Sequence, residues 1–540
     1  MNCRSLRVLL IAVAVASAVV SATNPVIQTR NGPVFGFMNE EGSYSFKGIP
    51  FAQPPTGNLR FKSPEPASNW TTPYNATVFA PGCYSHCNGN ARLRDLMCTP
   101  VISEDCLYLN VYTPDTTSTA NLPVIFFIHG GMFDWGSGGI PLYEGNLWAK
   151  QQNIVLVTIN YRLNIFGGLY TSSGVMGNFH IQDQRMALKW VHDNIVNFGG
   201  DPTRVVLSGQ SAGATSVGIH LTSPESWPYF QRAAIISDPY GLIPLDTKMA
   251  GELGDVVLIK LNCTSATPEA ELACLQSKTT EEIFAMSHSD LLPTPNEVLA
   301  MFMPWTPTVD GVIIPEQPID AMTAGRSNPV PLYIGTVANE TIPFIFGVNF
   351  NTSTFLMDVA LDYVFGLENG PVIAELYGPV PPDQQDDTRP FFSSIFTDYA
   401  FYCPSRYAAR MQSRVNNNRT FMYFFLEHPS WSLWYAGNNS HDPCVEYICH
   451  AFDLPYVFDT YYKLPAGAPT FTPDEMALAQ FVQTSLTEFA ATGVISNWPA
   501  FTDNNRIARN YSVPIATSGW LKDYRQEYCD YFDGIGYDRW

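Results

Sequence analysis

Short apolar runs alternate with segments of helical periodicity through much of the chain. The strand candidates are Val124–Ile128, Ile154–Ile159, Val205–Leu207, Ala233–Ile236, Pro331–Ile334 and, further on, Thr420–Phe425. They lack the polar alternation of a sheet that faces water on one side, so they are typical of strands buried on both faces of a parallel sheet. The pattern predicts a large, mainly parallel sheet.

Helical patterns fill intervals between these strands. In Gln182–Asn197 the apolar residues Met186, Trp190, Val191 and Ile195 recur at helical spacing, which would pack one face of a helix on the sheet. A second helix-like stretch, Thr215–Leu221, follows the third strand candidate. The alternation predicts an α/β fold with helices on both faces of the sheet. No repeat or linker composition divides the chain, so we expect residues 23–540 to form a single domain.

Residues 1–22 have the composition of an export signal. Arg4 and Arg7 provide a basic start, and the run Val8–Val20 is apolar or small. Val20-Ser21-Ala22 is a suitable cleavage site. A membrane anchor would need about 20 apolar residues in succession, which no run in the sequence provides. We therefore expect a mature chain from near Thr23, secreted or held in the lumen of the secretory pathway, without an integral membrane span.

The charge balance excludes several functions. The chain has 29 Lys and Arg against 49 Asp and Glu, which gives a net charge of −20. Such a chain would be repelled by a phosphate backbone or by an anionic membrane surface. Nucleic-acid binding and attachment to membranes through basic patches are therefore not expected.

Cysteines and glycosylation sequons agree with export. Beyond Cys3, which lies in the signal, the ten cysteines are Cys83, Cys87, Cys98, Cys106, Cys263, Cys274, Cys403, Cys444, Cys449 and Cys529. An even set indicates five disulfides, and no pair has the two-residue spacer of a zinc site, so no metal is expected. The Asn-x-Ser/Thr sequons are at Asn69, Asn75, Asn262, Asn339, Asn351, Asn418, Asn438 and Asn510. We expect glycans at all of them except Asn339.

The sharpest signal for chemistry is Gly209-Gln-Ser-Ala-Gly213, which lies between a strand candidate and a helix-like stretch. A nucleophile elbow has this form because its serine occupies a strained turn, where only glycines fit two residues to either side. The turn raises the hydroxyl above the sheet and directs the first helical amides at a reacting carbonyl oxygen. Ser211 is therefore predicted to be a nucleophile.

His129-Gly130-Gly131-Met132 directly follows the first strand candidate. Glycines there let the backbone amides of Gly131 and Met132 face a cavity, where with the amide of Ala212 they would form an oxyanion hole. Taken alone, the segment could also be an ordinary Gly-Gly turn. The serine motif downstream favours the oxyanion hole.

Further segments accompany these two motifs in a fixed order. They are Phe46–Pro55, Leu59–Phe61, Ser103–Asn110, Asp183–Trp190 and Phe198–Pro202. With the two motifs they resemble the type-B carboxylesterases, a group that includes cholinesterases, juvenile hormone esterases and several secreted lipases. The resemblance extends from about residue 25 to about residue 530 and implies the α/β-hydrolase fold and activity on carboxylic esters.

In this fold the acid and the histidine of a triad follow the serine. The histidines in that part of the chain are His220, His288, His428, His441 and His450. His450 begins His-Ala-Phe-Asp-Leu-Pro, which resembles the family's catalytic histidine segment. Glu340, in Gly335-Thr-Val-Ala-Asn-Glu340, resembles the family's acid, although the residues on either side of it differ. Asp310 competes with Glu340 but is interpreted as a turn residue.

Two residues depart from the family pattern at the predicted site. Gln210 replaces the usual Glu before the nucleophile, which removes a negative charge. Met132 replaces the third glycine of the oxyanion loop, so its amide is retained but its side chain would narrow the pocket. The family's choline-binding Trp would fall near Leu96, and the sequence between Cys83 and Cys106 has no Trp.

The resemblance also implies a set of disulfides. It implies that Cys263 pairs with Cys274, Cys403 with Cys529, and Cys83 with Cys106. Cys87 and Cys98 would form a bridge nested inside the last loop, although four cysteines allow three pairings. Cys444 could pin Cys449 beside His450.

The sequence thus predicts a secreted serine hydrolase that cleaves carboxylic esters through an acyl-enzyme on Ser211, with His450 as base and Glu340 as orienting acid. No cofactor is expected, and the substrate would be a small-molecule or lipid ester. The main alternative is a non-catalytic storage, carrier or adhesion protein of the same family, in which the serine or histidine is usually lost. A cholinesterase is less favoured.

Overall fold

The computed structural model describes residues 24–87, 96–287, 303–347, 351–430, 443–460, 463 and 470–537. The predicted signal, His288, His441 and the sequon at Asn438 lie outside the described residues. No helix in these ranges is both long enough and apolar enough to cross a membrane.

One large sheet runs through the described residues, and its strands are numbered β1 to β11 in chain order. They are Phe37–Met38, Tyr44–Pro50, Tyr108–Thr113, Leu122–Ile128, Val155–Ile159, Gly200–Gln210, Arg232–Ile236, Leu332–Val337, Thr420–Phe425, Ile507–Tyr511 and Trp520–Lys522. Their order across the sheet is β11-β10-β9-β8-β7-β6-β4-β5-β3-β2-β1. The central strands from β10 to β5 are parallel, and the strands outside them are antiparallel.

Shorter ladders lie outside this sheet. They join Val26–Gln28 to Pro33–Phe35 and Tyr74–Asn75, Gly82–Cys83 to Ile102–Ser103, and Leu245–Asp246 to Thr308–Val309.

The α-helices of the described residues are numbered α1 to α16. They are Asn146–Gln152, Asn164–Gly168, Phe179–Asn194, Ala212–Thr222, Thr247–Lys260, Pro268–Ser277, Thr280–Phe284, Pro318–Thr323, Ile342–Ile345, Thr354–Phe365, Gly370–Tyr377, Arg389–Thr397, Cys403–Val415, Leu454–Phe458, Pro473–Thr492 and Gln526–Ile535. A π-helical segment, Asp398–Tyr402, joins α12 to α13.

The alternation of side-chain direction along the buried strands explains why helices cover both faces of the sheet. In β4, Val124, Phe126 and Ile128 pack into one core cluster, whereas Ile125 and Phe127 pack into another. The first cluster also holds buried residues of α3, α4 and α13, and the second holds residues of α1, α14 and α15. Successive side chains of a strand point to opposite faces, so continuously apolar strands need a helical layer on each side.

The predicted α/β fold with a mainly parallel sheet is confirmed, and the main differences concern element boundaries. The strand predicted at Val205–Leu207 extends over Gly200–Gln210, because Gly209 pairs with Ile128 and Ile235 on the two neighbouring strands. The helix predicted from Gln182 begins at Phe179 and ends at Asn194. Tertiary pairing therefore carries regular structure beyond the limits of the apolar pattern.

Disulfides join all ten described cysteines. The bonded pairs are Cys83–Cys106, Cys87–Cys98, Cys263–Cys274, Cys403–Cys529 and Cys444–Cys449. Cys87–Cys98 is nested inside the loop closed by Cys83–Cys106. Cys403–Cys529 ties α16 back to α13, and Cys444–Cys449 closes a five-residue separation immediately before His450. Oxidised pairs of this number are typical of exported proteins.

Candidate active site

Ser211 lies in a strained turn between the end of β6 and the start of α4. Its φ is 58° and its ψ is −124°, a conformation that non-glycine residues seldom adopt. The turn is tight on both sides, since a Cβ on Gly209 would lie 2.3 Å from the Gly213 carbonyl oxygen. A Cβ on Gly213 would lie 2.1 Å from the carbonyl oxygen of Ile128. Glycine is therefore required at both positions, as the sequence motif predicts.

The loop after β4 approaches Ser211 from the neighbouring strand. A Cβ on Gly130 would lie 2.9 Å from Ser211 Cβ, so this glycine lets the two turns meet. Gly131 has a φ of +115°, and Met132 has a φ of 59°. Within the described residues no backbone or side-chain hydrogen bond uses the amide of Gly131 or of Met132. Ala212 is the first residue of α4, and its amide has no partner within a regular helix.

His129 orients this loop rather than acting as a base. It is stacked on Tyr161, and its Nδ1–H donates to the Gly130 carbonyl oxygen over 2.7 Å. Burial lowers the pKa of His129 to about 4, so its imidazole is neutral at ordinary pH. The bond turns the Gly130 carbonyl towards His129, and the peptide groups that follow are left free to face the cavity.

His450 and Glu340 meet although they lie in different loops. His450 Nδ1 donates to Glu340 Oε2 over 2.5 Å, and the Val337 amide donates to the other carboxylate oxygen over 2.8 Å. Glu340 is fully buried and His450 is 4% exposed. The second bond fixes the carboxylate, and the first places the imidazole proton on Nδ1, which leaves a lone pair on Nε2.

Asn339 connects the loop of the acid to the loop of the histidine. The backbone amide of Asn339 donates to the Ile448 carbonyl oxygen over 3.0 Å, and the side-chain Oδ1 of Asn339 accepts from the backbone amide of Ile448 over 3.1 Å. The disulfide Cys444–Cys449 constrains the same loop. The segment that carries His450 is thus held from two directions, and neither connection involves the imidazole.

This arrangement predicts that Asn339 carries no glycan in active protein. Its side-chain oxygen is already bonded to the His450 loop, and a sugar on the amide nitrogen would have to fit beside buried Glu340. Glycopeptide mass spectrometry should find Asn339 empty while the exposed sequons at Asn262 and Asn418 are occupied. Substantial occupancy at Asn339 in active protein would remove Glu340 from the site.

A second carboxyl group, that of Asp453, is buried close enough to the His450–Glu340 pair to interact with both charges. The Tyr423 hydroxyl donates to its Oδ2 over 2.8 Å. Burial raises the pKa of Asp453 to about 7, and the negative charge of Glu340 adds to the increase, whereas the Tyr423 bond opposes it. In the sequence Asp453 is recognisable only as part of the histidine segment, because its burial beside the site depends on the packing of α14.

The residue before the serine contacts the histidine. Gln210 Nε2 lies 2.9 Å from His450 Nε2, and both side chains are buried. In the sequence Gln210 stands out only for the charge that it lacks; its contact with His450 could not be predicted, since the two residues are 240 positions apart. No hydrogen bond joins the Ser211 hydroxyl to another side chain of the described residues.

Ser211, Gln210 and His450 line a cavity of about 360 Å³. Its other described lining residues are Cys87, Met97, Gly130, Gly131, Met132, Trp135, Gly136, Ile140, Tyr143, Pro343, Phe344, Ala451 and Leu454. None of these is Asp, Glu, Lys or Arg, so the wall is mostly apolar. The cavity walls could not be identified from the sequence, because they come from segments that follow β2, β4, β6, β8 and β9.

Among the described residues, the other sequence candidates His220, His428 and Asp310 do not line the cavity. His220 is buried in α4 and bonds to Ser226 and Gln184. Asp310 Oδ1 accepts from the amides of Val312, Ile313 and Ile314, which is the bonding of a turn residue. The structure therefore brings Ser211, Glu340, His450, Gly131, Met132 and Ala212 together.

We expect Met132→Gly to retain activity and to accept a wider range of acyl groups. The positive φ of Met132 costs about 1 kcal/mol for a side-chain-bearing residue, and glycine removes both that strain and the side chain on the cavity wall. The measurements are kcat/KM for p-nitrophenyl esters from acetate to octanoate, together with the melting temperature. Met132→Ala is the control, because it removes the bulk but keeps the strain. A collapse of activity in both variants would mean that the Met132 side chain shapes the oxyanion hole.

Comparison with known proteins agrees with this geometry. A profile of the carboxylesterase family matches residues 23–527. The cAMP-regulated D2 protein of Dictyostelium discoideum is 34% identical over 476 residues, which cover 86% of this chain and 84% of that protein. The para-nitrobenzyl esterase of Bacillus subtilis is 33% identical over 494 residues, covering 90% of this chain and 94% of that protein. A solved structure of PNB esterase matches with a TM-score of 0.77 and 30% identity, covering 94% of this chain and 100% of that chain.

The fold and the matched family define an α/β hydrolase of the carboxylic ester hydrolase class. The chain belongs to the carboxylesterase family. The resemblance stated from the sequence motifs is therefore confirmed.

Proposed function

We propose that the protein is a secreted serine esterase that cleaves uncharged carboxylic esters through an acyl-enzyme on Ser211. The observation that carries the proposal is the set of groups around one cavity: a serine in a strained elbow, a histidine whose Nδ1 is bound to a buried carboxylate, and an adjacent loop with unused amides. Each group has a defined task in acyl transfer.

The proposed reaction begins with attack of Ser211 Oγ on the ester carbonyl carbon. His450 Nε2 takes the serine proton, and Glu340 stabilises the imidazolium through Nδ1. The amides of Gly131, Met132 and Ala212 bind the oxyanion. The imidazolium then protonates the leaving alcohol, and water attacks the acyl-enzyme with His450 again as base. Apart from the ester and water, these steps use only side chains and amides of this chain.

The lining of the cavity supports an uncharged substrate. A cationic alcohol such as choline would lose its hydration without meeting a carboxylate on the described wall. The apolar side chains of Trp135, Tyr143, Phe344 and Leu454 instead suit an aliphatic or aromatic group. The cavity volume of about 360 Å³ suits a small ester rather than an entire triglyceride.

Three independent features of the chain support secretion. The apolar N-terminal run, the sequons and the five disulfides are all typical of chains that pass through an oxidising compartment. The experiment is expression of the full chain in a secretory host, followed by N-terminal sequencing of the protein in the medium. We expect a mature chain beginning near Thr23, and retention of residues 1–22 would contradict the proposal.

The substrate proposal is tested with a matched pair of esters. Acetylcholine and 3,3-dimethylbutyl acetate have nearly the same shape, but only the first is charged. We expect kcat/KM to favour the neutral ester at least about tenfold, because no carboxylate among the described lining residues balances the charge of the desolvated cationic group. Equal rates would contradict the substrate class. Absence of turnover on these esters and on a p-nitrophenyl ester series, with and without detergent micelles, would favour a storage or carrier role.

A further inference from the structure

The side chain of Gln210 is enclosed between the oxyanion loop and the histidine. Its Nε2 lies 2.9 Å from His450 Nε2, and the residue is 3% exposed. On its other side, a Cβ on Gly130 would lie 2.7 Å from Gln210 Oε1. Because Gly130 has no Cβ, the amide fits with its nitrogen towards the imidazole and its oxygen against the loop.

The bond between His450 and Glu340 determines what Gln210 can do. A carboxylate only accepts hydrogen bonds, so His450 Nδ1 must carry the proton that Glu340 receives. Nε2 of a neutral imidazole then has one lone pair and no hydrogen. An amide at 2.9 Å can therefore bond to it only by donating an N–H.

We propose that Gln210 is a positioning residue that competes with Ser211 for the lone pair of His450 Nε2, so that in the substrate-free protein the histidine is held by the amide and the serine is not activated. The inference rests on the proposed function, in which Nε2 is the base. Ser211 can transfer its proton only after Gln210 releases Nε2. The transfer breaks the serine O–H bond and forms an Nε2–H bond, and a half turn of the Gln210 amide would then present Oε1 to accept that N–H.

The other groups around His450 explain why a neutral amide matters. Among the described residues, Glu340 is in direct contact with His450, and Asp453 is close enough to interact with its charge. The rings of Phe344 and Phe401 lie 5.5 Å and 5.4 Å from the imidazole. A glutamate at position 210 would be a further carboxylate next to the imidazole. It could accept from an imidazolium but could not donate to a neutral ring, so it would favour the protonated histidine.

Three substitutions of Gln210 separate these effects. Gln210→Met has a similar length and no donor or acceptor, Gln210→Asn keeps the amide but is too short to reach His450, and Gln210→Glu replaces the donor by an acceptor. The readouts are the rate constant for covalent labelling of Ser211 by an uncharged organophosphate, kcat and KM for a p-nitrophenyl ester, and the pH profile of kcat/KM. Melting temperatures identify variants that fail to fold.

We expect Gln210→Met and Gln210→Asn to label about two- to tenfold faster than the wild type near pH 8, the range that corresponds to one competing hydrogen bond. We expect the acid limb of the Gln210→Glu profile to move up by about one pH unit. Because burial raises the pKa of Asp453 to about 7, the profiles are also measured with Asp453→Asn in the background. Equal or slower labelling by folded Gln210→Met and Gln210→Asn, or a Gln210→Glu profile that superposes on the wild type, would overturn the proposal.

A measurement that does not need turnover distinguishes this inference from the proposed function. The ¹⁵N chemical shift of His450 Nε2, assigned by its loss in His450→Gln, reports whether a donor is bound to the lone pair. We expect the signal to shift in Gln210→Met towards the value of a free imidazole nitrogen. An unchanged ¹⁵N signal of His450 Nε2 in Gln210→Met would overturn the inference. A changed signal in a protein that organophosphates never label at Ser211 would mean that the Gln210–His450 contact exists but that the proposed function is wrong.

Discussion

Replacement of Ser211 by alanine is expected to lower kcat for p-nitrophenyl esters by about a millionfold and to abolish labelling by organophosphates. The structure leaves no second nucleophile beside the oxyanion loop among the described lining residues, apart from His450 itself. Members of a catalytic triad act as a unit, so loss of the nucleophile removes nearly all of the chemical acceleration. The measurement is steady-state turnover together with mass spectrometry of the labelled peptide.

Ser208→Ala is the matched control for this prediction. Ser208 lies in β6, just before the turn that holds Ser211, is also buried, and donates to the Phe126 carbonyl oxygen, so its loss should leave turnover within a few-fold. A Ser211→Ala variant with more than about 1% of the original activity would contradict the assignment of the nucleophile. Labelling at a serine other than Ser211 would do the same.

Glu340→Gln is expected to reduce kcat by about ten-thousandfold, which is a smaller loss than that of Ser211→Ala. The glutamine would keep the shape of the side chain and could still accept from the Val337 amide. Its amide group would then face His450 Nδ1 and favour the tautomer with the proton on Nε2. That tautomer has no lone pair for the serine proton, so the base is lost although the geometry is retained.

The control for this prediction is Glu375→Gln, an exposed carboxylate in α11 that lies outside the cavity lining. It makes the same chemical change and should leave kcat unchanged. The melting temperature of Glu340→Gln shows whether a loss of activity reflects unfolding. If folded Glu340→Gln keeps more than about a tenth of the activity, Glu340 does not set the tautomer of His450.

The parts of the site that depend on local sequence could be predicted. The elbow lies within Gly209–Gly213, and its glycines are required by contacts with the helix that follows and with β4. The central strands were recognisable because burial on both faces leaves a continuous apolar run. The roles of His450 and Glu340 came from the family resemblance and the order of the triad, since their contact joins residues 110 positions apart.

Features that depend on packing between distant segments could not be predicted. The strand Tyr44–Pro50 includes Lys47 and Gly48 and has an irregular register, so it lacks a clear apolar alternation. The contact between Gln210 and His450 requires the loops after β6 and β9 to meet above the sheet. The residues that line the cavity, such as Trp135 and Phe344, likewise lie in connecting segments, whose position over the sheet cannot be predicted from their length.

The positions of the site residues along the polypeptide determine when activity arises during biosynthesis. The oxyanion loop follows β4, and Ser211 follows β6. Glu340 and His450 come later, after β8 and β9, and the disulfide of Cys403 requires Cys529, which lies further along the chain. A nascent chain that has emerged from the ribosome only as far as Ser211 carries the proposed nucleophile without the proposed base. Hydrolytic capacity would thus appear only after the segments that carry Glu340 and His450 have been synthesised, and chains truncated before His450 would be harmless to the esters that they meet.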